Sequence, residues 1–267
     1  MGADIKALRT RIKSVDSTLH LTKAMGLVAS SKIRKSMLAM TKSRDYAMAI
    51  RDMVDILASV NECKKSPYMQ YRDTGRTKLI VIAGDRGLAG GYNANVFRLM
   101  SSYPDAEVIA IGKRACERFG GEVNSSEHFS YEEARALSEK LCKEFADGEF
   151  DKLGIVSTEY VSMMSQVAKV TWLLPLEENP DSVTRSMIFE PDELTILNDA
   201  IPEYITAMLI ATLKESFASE VAARRTAMDS AGKNAQTMID DLRLQYNRAR
   251  QGAITQEITE IVAGGGD

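Results

Sequence analysis

The segment TKLIVIAGDRGLAGGYN, residues 77–93, decides the fold, because an apolar run is followed there by a glycine-rich turn and a helix-forming stretch. The run TKLIVIA has the length and continuous apolar character of a buried strand. A buried strand that leads through a short turn into a helix is typical of a β-α-β unit. The segment therefore predicts an α/β domain with a mostly parallel, Rossmann-like sheet.

Further apolar runs and amphipathic segments alternate downstream of this segment. The predicted strands are 77–83, 107–112, 152–161 and 167–176, and the predicted helices are 93–102, 113–119 and 131–147. Crossover helices make the first strands parallel, while the short connection before the last strand predicts an antiparallel hairpin. These elements form one globular head, expected at 70–200.

The glycine-rich turn raises the question of nucleotide binding. Lysine does not follow its glycines as a P-loop requires, and their spacing is not GxGxxG. We therefore interpret Gly84, Gly87, Gly90 and Gly91 as a structural turn that permits positive φ and close packing. We expect no cofactor and no direct nucleotide binding, although a nucleotide-binding α/β enzyme remains an alternative.

Two long helices are predicted on either side of the head, one over residues 1–60 and one over 204–262. Between residues 4 and 58 proline is absent and Gly26 is the only glycine, so little interrupts a helix there. Apolar and small residues recur at spacings of three and four in both segments, which is typical of a coiled coil. The first would be roughly 80 Å long. Because one helix enters the head and the other leaves it, we expect them to pair as an antiparallel two-helix coiled coil.

Sequence patterns for catalysis and metal binding are sparse. His20 and His128 are the only histidines, and GxSxG, HExxH and paired metal-ligand spacings do not occur. Cys63, Cys116 and Cys142 form no CxxC motif, and an odd number of cysteines does not suggest a disulfide framework. We predict no catalytic residue and no metal site. A run of about 18 apolar residues, the length of a membrane span, is not evident either.

Charge is distributed unevenly along the chain, whose net charge is −3. Asp4 and Asp16 are the only acidic residues before residue 45. The basic residues of the same segment are Lys6, Arg9, Arg11, Lys13, Lys23, Lys32, Arg34, Lys35, Lys42 and Arg44. A basic helix suits nucleic acid or an acidic protein partner. Aromatic stacking residues and nucleic-acid recognition motifs do not accompany it, which favours the protein partner.

Three segments together resemble the γ subunit of the F-type rotary ATP synthase, the central rotor of its F1 sector. They are IKALRTRIKSVDSTLHLTKAMGLVASSKIRK (5–35), GDRGLAGGYN (84–93) and ASEVAARRTAMDSAGKNAQTMIDDLRLQYNRARQGAITQEITEIV (218–262). Their order along the chain is also that of the family. The resemblance covers essentially the whole chain, and the last segment is its most specific part.

This resemblance implies a non-catalytic shaft of two antiparallel helices inside a ring of three α and three β subunits. The α/β head would bind the ε subunit and the membrane c-ring, and nucleic acid would not be a partner. The complex would lie peripherally on the cytoplasmic face of a bacterial cell membrane. The shaft would couple ion-driven rotation to ATP synthesis or hydrolysis at the β subunits.

The resemblance also implies roles for individual residues. The contacts with β or with the collar around the shaft would be made by Lys23, Met25, Arg224, Arg250, Gln251 and Thr255. Phe189, Glu190 and Pro191, where the family usually has Tyr-Glu-Pro, would form the foot toward ε and the c-ring. An unrelated coiled-coil adaptor would share the helices, but it should form a defined oligomer on its own.

Overall fold

The computed structural model describes residues 2–179 and 189–264. Its helices are α1 (Gly2–Ala58), α2 (Tyr92–Met100), α3 (Lys113–Phe119), α4 (Tyr131–Ala146) and α5 (Glu193–Gly264), with short 3-10 helices at Asn61–Lys65 and Pro67–Met69. Its strands are β1 (Thr77–Ile82), β2 (Glu107–Ile111), β3 (Lys152–Ser162) and β4 (Ser165–Leu174). The predicted strands and central helices are all present, with bounds that differ by a few residues at most.

The four strands form one sheet in the order β2-β1-β3-β4. Strand β1 pairs in parallel with both β2 and β3, whereas β3 and β4 form an antiparallel hairpin. The predicted α/β topology, with parallel strands first and a hairpin last, is therefore confirmed.

Both faces of strand β1 are buried, which explains its continuous apolar sequence. Leu79 and Val81 pack on one face with Val96 of α2, while Ile80 and Ile82 pack on the other. The second face is the larger core, to which the long helices contribute Val54, Leu57, Leu197, Ile201, Ile205, Leu209 and Leu213. The head therefore depends on segments of α1 and α5 for its own core.

Helix α5 begins at Glu193 rather than at residue 204, so the predicted start was wrong. Pro202, a residue type that is ordinarily found at or before the first turn of a helix, lies inside α5. An internal proline costs about 3 kcal/mol in an exposed helix. Here Leu197, Ile201 and Ile205 are fully buried on both sides of the proline, and this burial offsets its cost.

The chain divides into two compact units whose limits differ from the predicted domains. The larger unit is Ser30–Arg224, and the smaller unit combines the residues up to Ala29 with those from Arg225 onward. The segments 30–58 and 193–224 therefore belong with the sheet, although the sequence had assigned most of them to the shaft. The reason is the apolar burial described above, which a heptad pattern alone does not reveal.

The smaller unit contains two paired helical segments that run antiparallel. A Cβ built on Gly26 would lie 3.7 Å from Cβ of Met228, and one built on Gly232 would lie 3.5 Å from Oγ1 of Thr22. Leu19, Ala235 and Ile239 cluster further along, and Val15 packs against them. Successive contacts therefore lie further along one helix and further back along the other, as in the predicted antiparallel pair. Small residues such as Gly26 and Gly232 let the two helices approach each other closely.

One 18-residue window within Glu193–Thr259 of α5 reaches a mean hydropathy of 1.2, enough for a membrane span by length and composition. The sequence had given no such candidate. This is weak support for a span, because the core helix of a globular domain passes the same test. Ile205, Leu209 and Leu213 of this helix are buried in the larger core, which is consistent with the core helix of a globular domain.

Candidate functional site

The glycine-rich segment lies after β1, at the carboxyl edge of the sheet. Gly84 allows a close approach, because a Cβ there would lie 2.7 Å from the carboxylate carbon of Glu220. Gly90 has a φ of 58° and is the only one of the four predicted turn glycines with positive φ. Leu88, with a φ of 61°, takes the second left-handed position. The expectation of positive φ therefore holds for Gly90 and fails for Gly84, Gly87 and Gly91.

A buried ion pair on α5 closes over this segment. The Arg224 guanidinium lies 2.5 Å from Oε1 of Glu220, and their side chains are 12% and 5% exposed. Arg224 also donates to the carbonyl oxygen of Gly87 at 3.1 Å. Burial raises the pKa of the Glu220 carboxyl group, and the hydrogen bond and charge of Arg224 act in the opposite direction. The pair therefore fixes the turn to the helix.

Asp85 ties the turn after β1 to the start of α3 and to the loop between α3 and α4. Its carboxylate accepts hydrogen bonds from Oγ of Ser125 at 2.5 Å and from the backbone N–H groups of Ser126 and Glu127 at 2.9 and 3.2 Å. A further backbone N–H, that of Lys113, donates at 3.2 Å. Burial tends to raise the pKa of Asp85, but these hydrogen bonds together lower it from its ordinary value. The Asp85 carboxylate therefore holds the backbone segments at this edge of the sheet together.

Glu127 extends the same network to α1. Its carboxylate lies 2.8 Å from Nζ of Lys32 and 3.7 Å from the guanidinium of Arg86. Burial tends to raise the pKa of Glu127, but the Lys32 hydrogen bond and the charges of Lys32 and Arg86 lower it overall. Within the larger unit, the carboxyl edge of the sheet is thus tied to both long helices by charged contacts.

The structure gives Arg224 partners within the chain that the resemblance did not imply. One terminal nitrogen of its guanidinium donates to both Glu220 and Gly87. The implied contact with β or the collar stays a prediction. Sequence reasoning missed Glu220. The available signal was a glutamate four residues before an arginine inside the otherwise small and apolar stretch SFASEVAA, 216–223.

The other predicted contact residues of the shaft lie in the smaller unit. Lys23, Arg250, Gln251 and Thr255 are exposed, and Met25 is partly buried. Oγ1 of Thr255 donates to the carbonyl oxygen of Gln251 at 2.9 Å, so these two share one face of α5. Met25 is next to Gly26, which meets Met228, and residue 250 lies roughly 33 Å further along α5. The predicted residues therefore form two separate groups.

The predicted foot precedes α5 directly. Phe189 is partly buried and packs against the larger core, while Glu190 and Pro191 are exposed. The exposed pair is available for contact with another chain.

Metal ligands and cysteine thiols are the remaining candidates for a chemical site. Among residues 2–179 and 189–264, no three His, Cys, Asp or Glu side chains are placed to hold a metal ion. Cys63, Cys116 and Cys142 are free and buried, and burial raises the pKa of the Cys142 thiol to about 12. The predicted contact residues, in contrast, are mostly exposed on helices. The fold defines an α/β protein with long terminal helices.

Comparison with known proteins places the chain within this class. The family model of ATP synthase matches residues 4–266. The ATP synthase gamma chain of Alkaliphilus metalliredigens is 38% identical over 99% of this chain and 98% of its own length. That of Ruminococcus albus is 40% identical over 97% and 96%, respectively. The chain belongs to the ATP synthase gamma chain family and is a component of that complex.

Solved structures give the same fold. A chain of the Euglena gracilis mitochondrial ATP synthase, in a structure of OSCP, F1 and the c-ring, has a TM-score of 0.68 and 18% identity over 99% of this chain and 94% of its own. A chain of the Tetrahymena thermophila central stalk and c-ring has a TM-score of 0.64 and 21% identity over 79% and 99%. These likenesses confirm the predicted combination of an α/β head and two long terminal helices.

Proposed function

We propose that this chain is the central-stalk rotor that couples ion-driven rotation of a membrane c-ring to ATP synthesis or hydrolysis at the β subunits. The observation that carries this proposal is the match to gamma chains along nearly the whole length of this chain and of each relative. Within that match, the antiparallel helices of the smaller unit provide the shaft. The α and β subunits, ε and the c-ring are its partners.

Exposed apolar side chains support the placement of the shaft inside a collar. On α5, Ile254, Ile258 and Ile261 are 45%, 56% and 72% exposed, and their spacing puts them on one helix face. On α1, Leu27 and Val28 are 72% and 59% exposed. Apolar residues this exposed on neighbouring turns mark a surface that another protein covers. Burial in the α/β ring would cover them.

The mechanism follows from the asymmetry of a single shaft among three equivalent subunits. One chain cannot make identical contacts with three β subunits, so it stabilises a different conformation in each. Turning the shaft by the c-ring then changes which β subunit has the tight nucleotide site. The contacts of the shaft and the affinity of each site are thus thermodynamically linked.

The role of the chain in this mechanism is mechanical rather than catalytic. Among the described residues no three His, Cys, Asp or Glu side chains are placed to hold a metal ion. In this proposal the nucleotide chemistry belongs to the β subunits. The relatives in Alkaliphilus and Ruminococcus are bacterial, which supports a peripheral position on the cytoplasmic face of a cell membrane. The basic amino-terminal helix would face acidic loops of the β subunits.

Arg250→Ala in the assembled complex tests the proposed contact with β. If Arg250 donates to a β carboxylate in one rotary position only, its loss should cost about 1.5–3 kcal/mol in that state, or roughly a ten- to hundredfold change in its population. We expect normal assembly with clearly lower ATP hydrolysis and ion pumping.

Arg248→Ala is the matched control, because Arg248 is equally exposed and lies two positions away, toward the opposite side of the helix. It should leave turnover unchanged. Unchanged turnover in the Arg250 variant would remove Arg250 from the mechanism, and failure to assemble would assign it a purely structural role.

A further inference from the structure

We propose that two charged attachments fix the long helices against twisting relative to the sheet, Lys32–Glu127 for α1 and Arg224–Gly87 for α5. This inference rests on the proposed rotor function and identifies the residues through which the larger unit transmits torque. All of these residues belong to the larger unit, Ser30–Arg224. Lys32 lies near its first residue, and Arg224 is its last.

The attachment of α1 has a specific geometry. Nζ of Lys32 donates to Oε1 of Glu127 at 2.8 Å, and the two side chains are 38% and 21% exposed. The same ammonium group lies 5.7 Å from the centre of the Phe217 ring on α5. Lys32 therefore joins α1 to the loop between α3 and α4 and also contacts the Phe217 ring of α5.

The attachment of α5 is more deeply buried. Arg224 is held by Glu220 one turn earlier on the same helix and reaches the backbone of the turn at Gly87. A backbone carbonyl is a firm point of attachment, because it cannot rotate away from its peptide plane as a side chain can. The guanidinium is also oriented by two partners at once, which limits its freedom to follow a rotating helix.

The two attachments are linked through Asp85. Its carboxylate lies in the turn that Arg224 holds, and it accepts hydrogen bonds from Ser125, Ser126 and Glu127 in the loop that Lys32 holds. A path of hydrogen bonds and ion pairs thus runs from α1 through the carboxyl edge of the sheet to α5. Arg86, whose guanidinium lies 3.7 Å from the Glu127 carboxylate, joins the same two loops beside Asp85.

The directionality of these contacts is what suits them to torque. Much of the remaining contact between the long helices and the sheet is apolar, and apolar contact is not directional. Glu215, Ser216 and Ser219 of α5 add hydrogen bonds to the backbone of β3. Charged hydrogen bonds weaken steeply when their angle changes, so they oppose rotation of a helix about its axis. Removing one should have little effect at rest and a larger effect when the rotor works against a load.

The test uses the assembled complex in vesicles, with ATP-driven ion pumping measured without and with an opposing ion gradient. Lys32→Ala removes the α1 attachment, and Lys32→Arg retains a cation in its place. The matched control is Arg51→Ala, because the ion pair of Arg51, with Asp55 at 3.9 Å, lies within α1 itself. The side chain of Arg51 is 54% exposed, so it is also a partly exposed cation of this helix.

We expect Lys32→Ala to assemble and to hydrolyse ATP normally without a load. The largest gradient it maintains should fall roughly two- to fivefold, the range expected for losing one partly exposed ion pair. Lys32→Arg and Arg51→Ala should pump like the unmodified protein. In a Lys32→Cys/Glu127→Cys variant, a short dithiol-reactive cross-linker should restore the gradient.

An unchanged maximal gradient in Lys32→Ala would overturn the inference, as would an equal loss in Arg51→Ala. Reduced assembly with normal pumping per assembled complex would also overturn it, because that result indicates a structural role alone. Failure of the rotor proposal itself is distinguishable, since pumping would then not depend on the unmodified chain at all.

Discussion

Replacing Gly112 by alanine is expected to destabilise the larger unit severely. Gly112 has a φ of +97°, and a Cβ there would lie 2.0 Å from the carbonyl oxygen of Ala83 at the end of β1. The left-handed conformation costs about 1–2 kcal/mol, and overpacking costs about 1–3 kcal/mol more. The free energy of unfolding, measured by urea denaturation of the purified chain, should fall by roughly 2–5 kcal/mol.

Gly121→Ala is the control, because Gly121 has a similar φ of +103° but no atom within 4 Å of the added Cβ. Gly121→Ala should lower the free energy of unfolding only by the cost of the left-handed conformation, about 1–2 kcal/mol. Equal losses in the two variants would show that the close approach to β1 contributes nothing.

Replacing Arg224 by alanine should have the second large effect, because it leaves the Glu220 carboxylate buried without its partner. Removing one member of a buried ion pair costs about 3–5 kcal/mol. We expect a loss in that range at neutral pH in the same denaturation experiment. Arg225→Ala is the matched control, since this neighbouring arginine is exposed and should change stability little.

The pH dependence of this loss identifies its cause. Burial already raises the pKa of Glu220 in the folded chain above its unfolded value, and losing Arg224 would raise it further. A carboxyl group whose pKa is higher in the folded chain destabilises the fold over a defined pH range. The loss of stability begins as pH rises above the pKa of the group in the unfolded chain, about 4.3, and is complete above its pKa in the folded chain. The cost of Arg224→Ala should therefore shrink as pH falls toward 4, and Glu220→Gln should reduce it at pH 7. A loss independent of pH, unaffected by Glu220→Gln, would exclude an unpaired carboxylate as its cause.

The sheet and its helices could be predicted because their signals are local. The four apolar runs have strand length, and crossover helices separate the parallel ones. The start of α5 could not be predicted from the sequence, because Pro202 is tolerated only through the burial of Leu197, Ile201 and Ile205 in the core. Gly112 was missed for a related reason, since nothing in the sequence around it reports the proximity of Ala83.

The candidate site was predictable in part. Exposed positions such as Arg250 and Gln251 follow from the resemblance and the helical register, and their partner contacts remain predictions. The burial of Arg224 depends on the turn at Gly84 and Gly87, far away in sequence, so its ion pair with Glu220 required the structure. The left-handed Leu88 was equally hidden, because glycines nearby offered an easier residue for that conformation.

Site-directed cross-linking in the assembled complex tests the central claim that this chain is the rotor shaft. Single cysteines are introduced as Gln251→Cys near the end of α5 and as Glu190→Cys in the foot. The native Cys63, Cys116 and Cys142 are at most 5% exposed, so they should contribute little background. A photoreactive thiol reagent then identifies the neighbouring subunits by mass spectrometry.

We predict that position 251 cross-links to α or β and that position 190 cross-links to ε or the c-ring. Exchanged partners, or a chain that cross-links only to copies of itself, would contradict the account.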